Sequence, residues 1–275
     1  MSYFEAVLFG IVQGITEFIP VSSTAHLIIT ELVLGYNFPG LAFEILLHIA
    51  SAMAVIVFYR KDLLEIGRGF FSYLNLKNEK DLVHFRYGLF LLVATAITGT
   101  LGILLKGQIQ DFMKTPSFMA AALAVTGIFL IIIERVHHYG DRREKDMVFR
   151  DSIIVGLGQT IAVIPGISRS GSTLIAALFT GLSRETAARY SFILVIPVIL
   201  GSSVLTVGEA QMDMWSQLGA GPLLLSFATS FIFSWLSIIW LIDFLRKKRL
   251  IFFAFYCFVV AFLIHSYLEA VPPTY

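Results

Sequence analysis

The chain has 275 residues, of which 57% are hydrophobic and 14% charged, with a mean hydropathy of +0.82 and a formal net charge of +1. That composition excludes a soluble globular domain and leaves a polytopic membrane protein, one integral membrane domain over residues 1–275. The net charge says nothing about nucleic acid, because the basic residues are divided among loops, and no nucleic-acid partner is expected; Cys257, alone in an apolar run, excludes an intramolecular disulfide.

In chain order, residues 3–18 and 24–34 are apolar pieces, each short of the roughly 20 residues that a spanning helix needs. Between them lies a polar break, Glu17-Phe18-Ile19-Pro20-Val21-Ser22-Ser23-Thr24-Ala25-His26. With no Lys or Arg before it and no small-residue cleavage site, the first apolar stretch is not expected to be a signal peptide. Candidate spans follow at 41–59, 85–105 and 117–133. A second broken pair, 152–164 and 171–182, encloses Pro165-Gly166-Ile167-Ser168-Arg169-Ser170-Gly171-Ser172-Thr173, and spans at 187–207, 222–245 and 250–267 complete the chain. A broken hairpin followed by three spans thus occurs twice, as repeat 1 (1–136) and repeat 2 (150–270).

Loop charge orients these pieces, because cytoplasmic loops collect Lys and Arg. Arg60, Lys61, Arg68, Lys77 and Lys80 follow the first span; Arg135, Arg142, Arg143, Lys145 and Arg150 precede the second broken pair; Arg246 to Arg249 form the last loop. All three read as inside, whereas 208–221, without Lys or Arg, reads as outside, and parity places 106–115 outside as well. Each broken pair must then enter and leave on one side of the membrane, the first from outside and the second from the cytoplasm, with both termini outside. The expected fold is an all-α polytopic membrane protein, about six transmembrane helices plus two re-entrant broken-helix hairpins in an inverted-topology repeat.

Irregular backbone at bilayer depth is tolerated only where it is buried in protein or lines a wet cavity. Each break exposes the N-terminus of a half-helix, with free N–H groups and the positive end of its dipole, and two such ends converging make an anion site. Arg169 adds a charge whose planar fork suits phosphate, and Gly166 and Gly171 let backbone approach a ligand. Glu17 can act as a base or hold a metal ion, His26 can act as acid or base, and Ser22, Ser23 and Thr24 offer hydroxyls for attack or phosphate contact. Each has a plainer reading. Ser22, Ser23, Ser168 and Ser170 are also natural N-caps, Arg169 can tie loose carbonyls, and His26 can be a hydrogen-bonded core histidine. Glu44 and His48, one turn apart, read equally as interior packing or as part of the site; Glu31 is placed at the outer interface, and Arg142-Arg143 and Lys247-Lys248 read as solvated topology determinants.

The run from Gln13-Gly14-Ile15-Thr16-Glu17 through His26 resembles the first signature of the undecaprenyl-diphosphate phosphatase (bacitracin-resistance) family, and Pro165 through Thr173 resembles its second. The similarity extends through 43–57 and 181–197. The resemblance implies a bacterial inner-membrane enzyme, its site opening on the outer side, that hydrolyses undecaprenyl diphosphate to the monophosphate and recycles the lipid carrier for the cell wall. It implies catalytic roles for Glu17, Ser23, His26 and Arg169, and substrate contacts from Gln13, Ser22, Thr24, Ser168, Ser170, Thr173, Gly166 and Gly171. A divalent cation, Mg2+ or Ca2+, is expected at Glu17, with a polyprenyl diphosphate and membrane lipids as partners and a homodimer as an option. Where many members carry a first glutamate this chain has Gln13, which shifts the load onto Glu17. The architecture also admits a transporter or flippase of a lipid phosphate or other anion.

Overall fold

The computed structural model describes residues 1–36, 38, 42–107, 113, 115–136, 140–206, 218–247 and 249–267. Its regular elements are helices: α1 (Tyr3–Thr16), α2 (Ser23–Leu34), α3 (Ala42–Phe58), α4 (Arg60–Leu76), α5 (Leu82–Lys106), α6 (Pro116–Val136), α7 (Phe149–Ile161), α8 (Arg169–Phe179), α9 (Arg184–Thr206), α10 (Ala220–Lys247) and α11 (Ile251–Tyr267). Among the described residues, α5, α6, α9 and α10 are each long and apolar enough to cross a membrane, and α3 with α4 passes the same test as a bent pair. This is a multi-pass membrane protein. The four long helices fall short of the six expected because α3 and α11 have 17 residues each. That is the lower end of the roughly 17–25 residues that span a bilayer. Large apolar side chains such as Leu92, Ile103, Trp240 and Phe255 point outward, as lipid-facing residues do.

Both broken pairs close as hairpins. In the first, Ser2 and Glu5 form a capping box at the start of α1, and α2 ends where Gly35 takes φ +72 and donates to the carbonyls of the last turn. The two ends meet: Tyr36 Oη donates to Glu5 Oε2 at 2.7 Å, and the Phe9 and Tyr36 rings lie edge to face at 6.0 Å. In the second, Arg142 holds both ends. Its guanidinium donates to the two Asp151 carboxylate oxygens at 3.1 and 2.7 Å on α7 and to Thr180 O at 2.7 Å after α8. Arg142, expected as a solvated topology determinant, is instead a bidentate clamp on a buried aspartate; Arg143 is exposed as expected.

The segment after α3, expected as a cytoplasmic loop, is largely helical: α4 leaves α3 at a bend of 77°. Arg60, Lys61, Glu65 and Arg68 are exposed on it, while Ile66 and Gly69 are buried. Phe70 packs on Phe85 with ring centroids 5.1 Å apart, and a Cβ at Gly69 would meet His84 Cβ at 2.6 Å. The side of α4 that carries Ile66, Gly69 and Phe70 is therefore covered by α5, while Leu64, Phe71 and Leu74 stay exposed. The residues expected as outer loops, 106–115 and 208–221, lie mostly outside the described residues.

Each first half-helix runs beside a long helix in the same direction. Along α1 and α10, Tyr3 meets Gly221, Gly10 meets Ser226 and Thr229, Gly14 meets Ser230 and Ser234, and Ser237 Oγ donates to Ile15 O. Along α5 and α7, Arg86 donates to Met147 O, Gly156 lies against Ala94, and Thr98 accepts from Gln159 Nε2. Helix α3 joins the first pair through Ser51, which accepts from Ser234 Oγ at 2.9 Å.

Candidate functional site

The chain leaves helical geometry at Pro20, which has no N–H to continue the hydrogen-bond ladder. Val21 N–H turns back to Ile19 O at 2.7 Å, and Ser22 adopts φ +66, a left-handed conformation that is costly for a residue with a Cβ. Ser22 Oγ then caps α2 by accepting from Ala25 N. The second tip turns at Gly166, φ +89, where a Cβ would lie 2.9 Å from Ala122 Cβ. Ser168 Oγ caps α8, accepting from Gly171 N at 3.1 Å. Ser22 and Ser168 thus fill the cap positions that their residue type favours. The tips touch directly, because Ser170 Oγ donates to Ile19 O at 3.1 Å.

Glu17 is the hub. Its carboxylate accepts from Arg169 Nη2 at 2.7 Å on one oxygen, and from Ser23 Oγ at 2.7 Å and Gln13 Nε2 at 2.9 Å on the other. His48 Nε2 lies 3.3 Å from that second oxygen. The Glu17 side chain is 1% exposed and that of Arg169 19%. A charge at this depth is costly unless paired and hydrogen-bonded, and the donors around Glu17 supply both. The chemistry available is therefore a buried carboxylate in contact with a hydroxyl, beside a guanidinium.

Glu17, Ser22, Ser23, Thr24, Ser168, Arg169 and Ser170 line one cavity of about 210 Å³. The other expected site residues lie off its wall. Gln13 sits behind Glu17, also reaching Ser51 Oγ at 3.5 Å, so it supports the carboxylate. Thr173, fully buried, donates into its own helix, to Arg169 O, and Gly171 packs on Ser168 and Pro20. His26 turns away: Nδ1 bonds Ser22 O at 2.8 Å and Nε2 bonds Tyr256 Oη at 2.8 Å.

Reading by motif left His48 open and missed Thr98, Gln159 and Ser202, all of which face the cavity. Thr98 and Ser202 carried one signal, a hydroxyl inside an otherwise apolar span; Gln159 carried another, standing before Pro165 much as Gln13 stands before Pro20. The amide of Gln159 is oriented by Thr98, whose hydroxyl lies 2.9 Å from Ala94 O and so accepts from Gln159 Nε2. Gln159 Oε1 is left buried without a partner.

Among the described residues no group of three His, Cys, Asp or Glu side chains is placed to hold a metal ion. A hard divalent cation shared with a substrate needs less, one or two carboxylates and oxygen donors, with phosphate completing the shell. On the cavity wall, Glu17 and Ser23 Oγ are oxygen donors of that kind, and Gln159 Oε1 is an amide oxygen with no other partner.

These features define a class: a helical membrane protein in which two hairpin tips enclose a carboxylate, a guanidinium and a ring of hydroxyls. Residues 6–263 match the family model described as bacitracin resistance protein BacA, and the chain belongs to that family. It is 58% identical over 270 residues to undecaprenyl-diphosphatase 2 of Halalkalibacterium halodurans, covering 98% of this chain and 97% of that protein. It is 52% identical to undecaprenyl-diphosphatase 1 of Shouchella clausii, covering 98% of each, and 37% identical to undecaprenyl-diphosphatase 3 of Bacillus anthracis, covering 94% of each.

Proposed function

We propose that this protein is a membrane phosphatase that hydrolyses undecaprenyl diphosphate to undecaprenyl phosphate and inorganic phosphate, recycling the lipid carrier of cell-wall synthesis. The observation that carries the reading is the joint at the two tips, where Ser23 Oγ and Arg169 Nη2 each lie 2.7 Å from the Glu17 carboxylate. The diphosphate enters the cavity, where Arg169 and the N–H groups at the starts of α2 and α8 face its charge. Glu17 takes the proton from Ser23 Oγ, or from a water held beside it, as the freed oxygen attacks the terminal phosphorus in line. The bond from that phosphorus to the bridging oxygen breaks, and the lipid monophosphate leaves with the electron pair. With Ser23 as nucleophile, water then cleaves the phosphoserine; with water, phosphate is released at once. Positioning and charge neutralisation do most of the work in phosphoryl transfer. A divalent cation, Mg2+ or Ca2+, would be held by Glu17, Ser23 and Gln159 together with the diphosphate, and would neutralise charge on the phosphate oxygens.

The parallel pairings, α1 beside α10 and α7 beside α5, support reading the chain as inverted repeats 1–136 and 150–270 that exchange their first half-helices. Loop charge supports a bacterial inner-membrane orientation with both termini and the cavity mouth outside.

The test is phosphate release from purified protein in detergent, where there are no two sides to transport between. Glu17→Ala and Arg169→Ala are each expected to lower turnover of a prenyl diphosphate by about 10²–10³-fold. Near-normal turnover in both variants, each well folded, overturns the site.

A further inference from the structure

His26 stands next to the reacting groups in sequence yet faces a different helix. Ser22 O can only accept, so His26 Nδ1 carries the proton in the 2.8 Å contact between them. A neutral ring then leaves Nε2 bare, and the Tyr256 hydroxyl, 2.8 Å away, donates to it. The two rings stack, 9° from parallel with centroids 5.7 Å apart. The adjacent residue of α11, Cys257, places Sγ 3.6 Å from Pro20 O. One span thus touches both sides of the turn in which Ser22 is held at φ +66, and the residue after Ser22 is the one whose hydroxyl reaches Glu17.

We propose that Tyr256 is a positioning residue of the site: by donating to Nε2 it holds the His26 ring with Nδ1–H on the Ser22 carbonyl, and so aims Ser23 at Glu17. The proposal rests on the reading of Ser23 and Glu17 as the reacting pair. Without the hydroxyl, Nε2 loses its donor and the ring loses the contact that fixes its rotation, so that Nδ1–H swings off the Ser22 carbonyl and releases the turn. Tyr256 is 42% exposed on the outside of α11, so packing alone asks for no hydroxyl there.

Phosphate release from purified protein in detergent, with a prenyl diphosphate as substrate, tests this as a double-mutant cycle. Tyr256→Phe is expected to lower kcat about tenfold, the effect of one lost hydrogen bond, with KM changed less than about twofold. In a His26→Asn background the amide donates to Ser22 O and there is no second ring nitrogen for Tyr256 to hold, so Tyr256→Phe is expected to have no further effect. An equal loss in both backgrounds, or no loss in the wild-type background, overturns the proposal. A second measurement needs no turnover. In 15N-histidine-labelled protein the His26 Nδ1–H is expected to give a hydrogen-bonded signal, and in Tyr256→Phe that signal is expected to shift and broaden as the ring leaves the Ser22 carbonyl; an unchanged Nδ1–H signal overturns the proposal. Wild-type protein that releases no phosphate strikes the phosphatase reading, and the Nδ1–H signal still decides the role of Tyr256.

Discussion

At the scale of single residues, Ser22 shows how strain and function share one position. Its φ of +66 is held by its own cap to Ala25 and by the His26 contact to its carbonyl. A non-glycine residue in the left-handed region costs roughly 1–2 kcal/mol, while replacing a serine cap costs about 0.5–2 kcal/mol with alanine and only a few tenths with glycine. Relief of strain therefore outweighs the lost cap in Ser22→Gly, which is expected to melt at or slightly above wild type. Ser22→Val keeps the strain, loses the cap and adds branching; it is expected to melt clearly lower. Thermal unfolding in detergent checks both, and equal melting of the two variants would show that the turn is unstrained. Glu17, Ser23 and Arg169 were legible in the sequence because polar residues between two apolar pieces, each too short to span, stand out at bilayer depth. The direction of His26 was not. Its partner Tyr256 lies 230 residues further on, and residue type alone does not say which neighbour a ring will face.

At the scale of elements, the closeness of α1 and α10 depends on glycine. A Cβ at Gly14 would lie 2.7 Å from Phe233 Cβ and 2.8 Å from Ser230 O, so Gly14→Ala must push the helices apart one turn before Glu17. Overpacking of this kind costs about 1–3 kcal/mol. Gly14→Ala is therefore expected to lower both melting temperature and turnover. Gly67→Ala, where nothing lies within 4 Å of the added carbon, is expected to be neutral or stabilising by about 0.5–1 kcal/mol. If the two substitutions behave alike, the close approach is not what positions α1. The broken pairs were readable from length alone, since half-length apolar pieces around Pro20 and Pro165 cannot cross. Helix α4 was not, because its charges were weighed for topology while the recurrence of apolar Leu63, Ile66, Phe70 and Tyr73 went unused. Arg142 was misread for a related reason: a basic pair beside a span looks like a topology signal, and only the fold brings Asp151 and Thr180 to one of its members.

At the scale of the whole molecule, the hairpin bases fix a testable geometry. Phe4 lies at the base of the first hairpin and Lys80 beyond α4, both exposed, and loop charge assigns them to opposite faces. A membrane-impermeant thiol reagent applied to intact cells stripped of outer barriers is expected to label Phe4→Cys and to spare Lys80→Cys until the membrane is opened. Native Cys257 is buried and should stay silent in both. Labelling of Lys80→Cys from outside would reverse the orientation.

The convergence on Glu17 also has a consequence for how the protein is made. Gln13 and Ser23 accompany the carboxylate as the ribosome delivers it, but Arg169 follows 152 residues later, and the Ser51 hydroxyl that supports Gln13 gains its Ser234 partner 183 residues after itself. Through most of synthesis the glutamate waits without its guanidinium in a hairpin that does not yet have its long neighbour α10. The two tips therefore join late, and a chain arrested before α8 leaves the translocon with its most polar position still open.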